Sequence, residues 1–306
     1  MKRADKKFRK ASAILMSDLH LRLDIPVCRN EEEFLPAQWR KLQFVKDLQV
    51  EHDCPVLCAG DLFDFWKPSP ELLSKTMEHL PANFYCIYGQ HDLPQHSLLN
   101  QDKSGLFALK TANRVILLDG VHWGQEPEKP SYTIDWFEGK IHEGLNHTQR
   151  KILVWHKMTY QGTPPWPGCT DPRAGKLLRK YPDYDLILTG DNHKPFTEEY
   201  ENRILVNPGS LMRQNADQVD FRPRVYLYYA DTNTVEAVYL PIESGVVSRD
   251  HLERNAERSD RIDAFISKLD GEWQAGLSFE ANLEEFFKHN RVRNATKEII
   301  YNAIES

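Results

Sequence analysis

A chain of 306 residues, 41% hydrophobic and 27% charged, can bury a sizeable core and is not a disordered polymer. Its net charge of −6 excludes a globally basic nucleic-acid binder, although a local basic groove fits within an acidic whole. No apolar stretch is long enough to span a bilayer, so no membrane partner is expected.

The basic start, MKRADKKFRK, lacks an apolar signal core and a small-residue cleavage site. It reads as the solvated lead-in to a first strand in a cytoplasmic protein. The five cysteines, Cys28, Cys54, Cys58, Cys86 and Cys169, show no paired metal spacing. Cys54 and Cys58 flank an apolar run and read as small core residues.

Short apolar runs recur along the chain: ASAILMS, PVLCAG, NFYCIYG, RVILLDG, KILVWH and DLILTG. Each is bounded by Gly, Pro or polar residues, which predicts strands buried on both faces. Helical patterns lie between them. PAQWRKLQFVKDLQVEH has apolar residues at helical spacing, and SPELLSKTMEHL offers Ser69 as N-cap with Pro70 in the first turn. DPRAGKLLRKYP offers Asp171 and Pro172 in the same roles. RILVNPGS, RVYLYYAD and TVEAVYLPI then predict a run of strands. After about Gly245 the chain turns charged and helical, so residues 1–245 are expected to form an α/β domain and 246–306 a helical C-terminal extension.

The strand ends carry a pattern. They read SDLH (Asp18, His20), GDLFD (Asp61, Asp64), GQHD (Gln90, His91, Asp92), VWH (His156) and GDNH (Asp191, His193). In an open α/β sheet, groups past the carboxyl ends of strands gather at one edge. Carboxylates, imidazoles and an amide without thiolates suit divalent Mn²⁺, Mg²⁺, Fe²⁺ or Zn²⁺. The expected arrangement is two cations about 3.5–4 Å apart sharing one carboxylate, with a shared water deprotonated as nucleophile. Asp61 is the expected bridge, because Gly60 lets the backbone approach closely. One cation would take Asp18, His20, Asp61 and His193, the other Asp61, Gln90, His156 and Asp191. Asp191 and His193, two residues apart, would share a side in extended geometry.

These motifs, in this order, resemble the calcineurin-like metallophosphoesterases over roughly residues 12–240. The resemblance implies a four-layer α/β/β/α sandwich and a dinuclear, Mn²⁺-favouring centre. Gln90 stands where the family usually has Asn, and Asp191 where it usually has His. Both belong to the second cation, which would then be bound more weakly, with a harder preference, or not at all. The resemblance also implies that His91 supports the transition state or protonates the leaving oxygen, with Asp92 orienting its ring. Asp64 is expected to brace the turn or a ligand.

Around the site, His96 is either a substrate contact or a loop histidine. Asn207 lies in VNPGS, a turn that resembles one near the family's site; it either helps to hold the metal loops or contacts substrate. Trp166, in GTPPWPG, either stacks a nucleobase or anchors its loop. His52, His79, His122, His142, His147, His251 and His289 read as surface residues.

AGDLFD, HDLP and VNPGS look most like SbcD-type DNA repair nucleases. That likeness implies DNA as substrate and an SbcC-like ATPase docking on the C-terminal helices, although little sequence is left for a capping domain. A phosphodiesterase or phosphatase acting on a small nucleotide or other phosphoester is the alternative, and a homodimer is left open. A non-enzymatic scaffold is the third reading.

Overall fold

The computed structural model describes residues 9–29, 34–118, 150–250, 261–262 and 279–304. Those residues divide into two compact units, Met1–Ser248 and Arg249–Ser306. In the first unit the strands are β1 (Ala13–Met16), β2 (Val56–Cys58), β3 (Phe84–Cys86), β4 (Ile116–Leu117), β5 (Ile152–Trp155), β6 (Leu186–Thr189), β7 (Phe196–Tyr200), β8 (Arg203–Asn207), β9 (Arg224–Tyr229) and β10 (Thr234–Tyr239). Its α-helices are α1 (Phe34–His52), α2 (Pro70–His79), α3 (Gly105–Thr111) and α4 (Ala174–Lys180).

Two mixed sheets result. One runs β10-β9-β1-β2-β3-β4, the other β5-β6-β8-β7. β1 to β4 are parallel, as are β5, β6 and β8, while β7, β9 and β10 run antiparallel to their neighbours.

Side-chain alternation builds the layers. Ile14 and Met16 face a core shared with α1 and α2, whereas Ala13 and Leu15 face the opposite sheet. On the second sheet Ile152 and Val154 meet that same inner core, while Leu153 and Trp155 turn outward to Leu177 and Leu178 of α4. The period of two along each strand thus creates three apolar seams and a four-layer α/β/β/α stack.

Some expectations need correction. β4 is not buried on both faces: it is an edge strand, and Ile116 is exposed. β7 was not predicted, because FTEEY is mostly polar and sits at the other sheet's edge. Ser69 caps α2 as expected, its Oγ accepting from the Leu72 N–H at 3.2 Å. Asp171 does not cap α4. The chain stays extended through Arg173, which bridges to Tyr160, and Asp171 instead pairs with Lys157 at 3.3 Å. His52 is buried rather than superficial, with Nδ1 accepting from the Ala11 N–H at 3.1 Å. His79 is half-buried against Trp39, and His289 is exposed. His122, His142, His147 and His251 lie outside the described residues.

In the second unit, α5 (Phe279–His289) and α6 (Asn294–Ile304) form a hairpin over a small apolar cluster of Leu283, Phe286, Phe287, Val292, Ile300 and Tyr301.

Candidate metal centre

The loops after β1, β2, β3, β5 and β6 converge. Ligand-type atoms of Asp18, His20 and His193 lie within 4.8 Å of one another, as do those of Asp18, Asp61 and His156. His20 Nε2 is 3.1 Å from His193 Nε2 and 3.6 Å from Asp61 Oδ2. His156 Nε2 is 3.4 Å from the same Asp61 oxygen. Asp18 is common to both groups, while the Asp61 carboxylate, 0% exposed, stands between the imidazoles of His20 and His156.

Four of these residues have left-handed backbones: Asp18 (φ 50°), His20 (φ 44°), Asp61 (φ 52°) and Asp191 (φ 74°). Each such residue is strained by about 1 kcal/mol or more and persists only where its surroundings fix it. Backbone bonds between loops do so: Asp18 N–H to Gly60 O (3.1 Å), His20 N–H to Asp61 O (3.0 Å) and Leu21 N–H to Leu62 O (2.9 Å). Gly60 has φ 93°, and a Cβ there would lie 2.7 Å from His156 Nδ1, so no side chain fits. The left-handed turn at Asp191 also overrides the extended geometry expected there. Its side chain meets Gln90, while His193 turns to His20.

The donor set fits divalent cations on physical grounds. His156 Nδ1–H donates to Ala59 O at 2.6 Å, which aims the Nε2 lone pair at the Asp61 carboxylate. A lone pair facing a carboxylate needs a proton or a cation between them. Asp18 Oδ2, Asp61 Oδ2, His20 Nδ1 and His156 Nε2 are buried and have no hydrogen-bond partner among the described residues. Leaving such atoms unsatisfied costs about 1–3 kcal/mol each.

The electrostatics agree. Burial works against ionisation of Asp61, yet His156, His20 and His91 hold its carboxyl well below the usual range. Burial would lower His156, but Asp61 outweighs it and raises the imidazole well above its ordinary value. Burial would likewise lower His20, and its Asp64 partner, with Asp61 and Asp18, raises it. Burial lowers His193, as do the neighbouring imidazoles, and raises Asp191. The upward shifts at His20 and His156 favour protons where cations would compete for the same lone pairs.

The remaining candidates fall into place around this centre. Gln90 Nε2 donates to Asp191 Oδ1 at 3.0 Å. His91 donates its backbone N–H to Asp61 Oδ1 at 2.9 Å, and its ring stands 4.8 Å from that of His20. Asp92 does not orient the His91 ring: His91 Nδ1 lies 2.8 Å from Asp64 O. Asp92 is wholly buried and accepts three backbone N–H groups, those of Leu62 (3.2 Å), Phe63 (3.1 Å) and Gly89 (3.1 Å). Burial, then Asp61, pushes its carboxyl up to about 7 against those bonds. It shapes the metal loops and cannot touch substrate.

Of the two readings of Asn207, the structure favours the holder of the metal loop over the substrate contact. It is buried, and its Nδ2 donates to Asn192 O (2.6 Å) and Lys194 O (2.9 Å), bracing the loop of Asp191 and His193. His96 is exposed beside the site, with Nδ1 at 2.9 Å from Gln90 O. Trp166 is 47% exposed, so it is no buried anchor.

As expected, Asp64 braces a candidate ligand: it faces His20 Nδ1 at 3.6 Å and is held by Arg22 at 3.1 Å. Other supporting residues were missed. On α1, Gln38 makes two bonds to the Arg22 backbone, and Lys41 Nζ donates to Leu211 O at 3.0 Å. Leu211 N–H in turn donates to Asp18 O at 3.1 Å. The signal available was a Gln and a Lys on the core-facing stripe of an amphipathic helix.

The chain belongs to the calcineurin-like phosphoesterase superfamily, whose domain model matches residues 12–223. Members are metal-dependent phosphoester hydrolases with a dinuclear centre, and the clusters of Asp18, His20, Asp61, His156 and His193 could hold metal ions in this chain. Among solved structures, the chain is similar to an archaeal phosphodiesterase at 15% identity and TM-score 0.41, over 74% of this chain and 99% of that one. It is similar to a putative 5'-nucleotidase from Staphylococcus aureus at 15% identity and TM-score 0.44, over 80% and 58%. It is also similar to vacuolar protein sorting 29 from Cryptosporidium parvum at 18% identity and TM-score 0.37, over 77% and 100%. No curated protein matches. Among the described residues no helix is long and apolar enough to cross a membrane.

Proposed function

We propose that this chain is a Mn²⁺-dependent DNA phosphodiesterase of the SbcD type. The observation that carries its chemistry is the convergence on one buried carboxylate, Asp61, of imidazoles from both sheets, with His91 tied to the same side chain. Asp18, His20, Asp61 and His193 would hold one cation. Asp61, His156 and the Gln90–Asp191 pair would hold the other. Bound there, two divalent cations supply a nucleophile at neutral pH and neutralise the charge developing on the phosphoryl group. His91 stands beside that group and delivers a proton to the leaving oxygen.

DNA as substrate is supported by the SbcD-like motifs and by exposed aromatics. Phe65, 59% exposed, directly follows Asp64, whose carbonyl holds the His91 ring. Such faces stack bases without regard to sequence. The C-terminal hairpin exposes Lys288, Arg291 and Arg293 at its turn, a basic edge suited to phosphates or to an acidic surface of an SbcC-like ATPase.

The test is hydrolysis with Mn²⁺ of labelled single- and double-stranded DNA, bis-p-nitrophenyl phosphate and cyclic nucleotides, with Asp61→Asn as control. DNA degradation lost in the variant supports the proposal. Cleavage of the small esters alone moves the protein to small phosphoesters.

A further inference from the structure

Gln90 and Asp191 are the two positions at which the centre departs from its family pattern, and they touch. They lie 101 residues apart, yet Gln90 Nε2 meets Asp191 Oδ1 at 3.0 Å. Gln90 stands on the loop after β3 of one sheet, Asp191 on the loop after β6 of the other. The amide orientation is set by its partner, since an amide oxygen against a carboxylate oxygen would repel.

Both backbones are anchored separately. The Gln90 carbonyl lies 2.9 Å from His96 Nδ1 and accepts from the Leu93 N–H at 3.3 Å. The backbone N–H of Asp191 donates to Asp18 Oδ1 at 3.0 Å. With each backbone fixed, the side-chain contact is the variable element. The contact at 3.0 Å leaves little slack, so a side chain one methylene shorter is expected to draw the donor back from Asp191 Oδ1.

We propose that Gln90 is a positioning residue that acts on the second cation through Asp191, the two working as one unit. The inference rests on the two-cation reading of the site and is independent of the substrate. An outer partner of a metal-binding group contributes about 10–100-fold in metal affinity. If Gln90 works only through Asp191, its removal has no effect once Asp191 is gone.

The experiment is a double-mutant cycle read as cation binding. Metal-free wild type, Gln90→Leu, Asp191→Ala and the double variant are titrated calorimetrically with Mn²⁺, and bound Mn²⁺ per chain is counted by mass spectrometry. Gln90→Leu is expected to weaken the second binding step by about tenfold and leave the first unchanged. The double variant is expected to bind the second Mn²⁺ no more weakly than Asp191→Ala alone. Losses that multiply would make Gln90 an independent ligand and overturn the proposal.

Should Gln90→Leu fail to fold, Gln90→Asn carries the same test, and unchanged second-step affinity there overturns it. A wild type that binds a single Mn²⁺ ends the two-cation reading and this inference with it. Two wild-type steps with multiplying losses end only the pairing.

Discussion

The backbone N–H of His91 donates to Asp61 Oδ1 at 2.9 Å, so the proposed proton donor and this carboxylate are joined by a bond that no substitution at position 91 except proline removes. His91→Ala is therefore expected to keep the fold and both cations while turnover falls by about 10²–10⁴-fold. Steady-state hydrolysis of bis-p-nitrophenyl phosphate alongside metal content checks this. Full activity in the alanine variant would remove His91 from the chemistry.

Asp92→Ala should behave differently. It strands three buried N–H groups, at about 1–3 kcal/mol each. The thermal midpoint is expected to fall by several degrees or more and metal binding to weaken with it. A variant with unchanged midpoint and lost turnover would restore a catalytic role to Asp92.

Gly89→Ala tests the packing behind the bridge. A Cβ at position 89 would sit 2.1 Å from Asp61 Oδ1, so the carboxylate must move. Loss of Mn²⁺ binding is expected in a chain that still folds, measured by bound metal per chain and circular dichroism. Wild-type metal content would show that the loop relaxes without cost.

Cation removal should lower stability, because Asp18, Asp61 and Asp191 then face one another with only protons to offset them. Mn²⁺ at 100 times its dissociation constant adds about 2.7 kcal/mol per site. That is several degrees in thermal midpoint, read by scanning with chelator and then with Mn²⁺. Coincident midpoints would argue that the site binds no Mn²⁺.

Lys41 gives a pH signature away from the metals. Burial, and then the charge of Arg29 and Arg213, lowers its amine from 10.5 to about 7. Between those values the unfolded chain holds a proton that the folded one has released, so stability rises with pH across that window. The rise is on the order of a few kcal/mol. Denaturant unfolding of wild type against Lys41→Met from pH 7 to 10 should show the difference growing with pH; a flat difference would mean that Lys41 stays charged when folded.

Most strands were legible because each is a continuous apolar run between Gly, Pro or polar residues, and the candidate ligands because each cluster follows such a run. What stayed hidden were long-range contacts. The sequence does not show that Asp92 turns inward to three N–H groups while Asp64 supplies the carbonyl for His91. Nor does it show that Gln38 and Lys41, which look like lapses in an apolar stripe, reach the loops of Arg22 and Leu211. β7 was hidden for another reason: an edge strand needs little apolar surface. Asp171 looked like a cap until the bridge at Arg173 held the chain extended.

The position of β9 has a consequence for vectorial synthesis. β1 is paired on one side by β2 and on the other by β9, Arg224–Tyr229. The second sheet is encoded between them, and it delivers His156, Asp191 and His193. A nascent chain leaving the ribosome thus presents Asp18, His20 and Asp61 long before their counterparts exist, on a sheet whose central strand still has an open edge. The candidate ligands are not all present until residue 193 has emerged, and that edge of β1 stays open until β9 ends at residue 229.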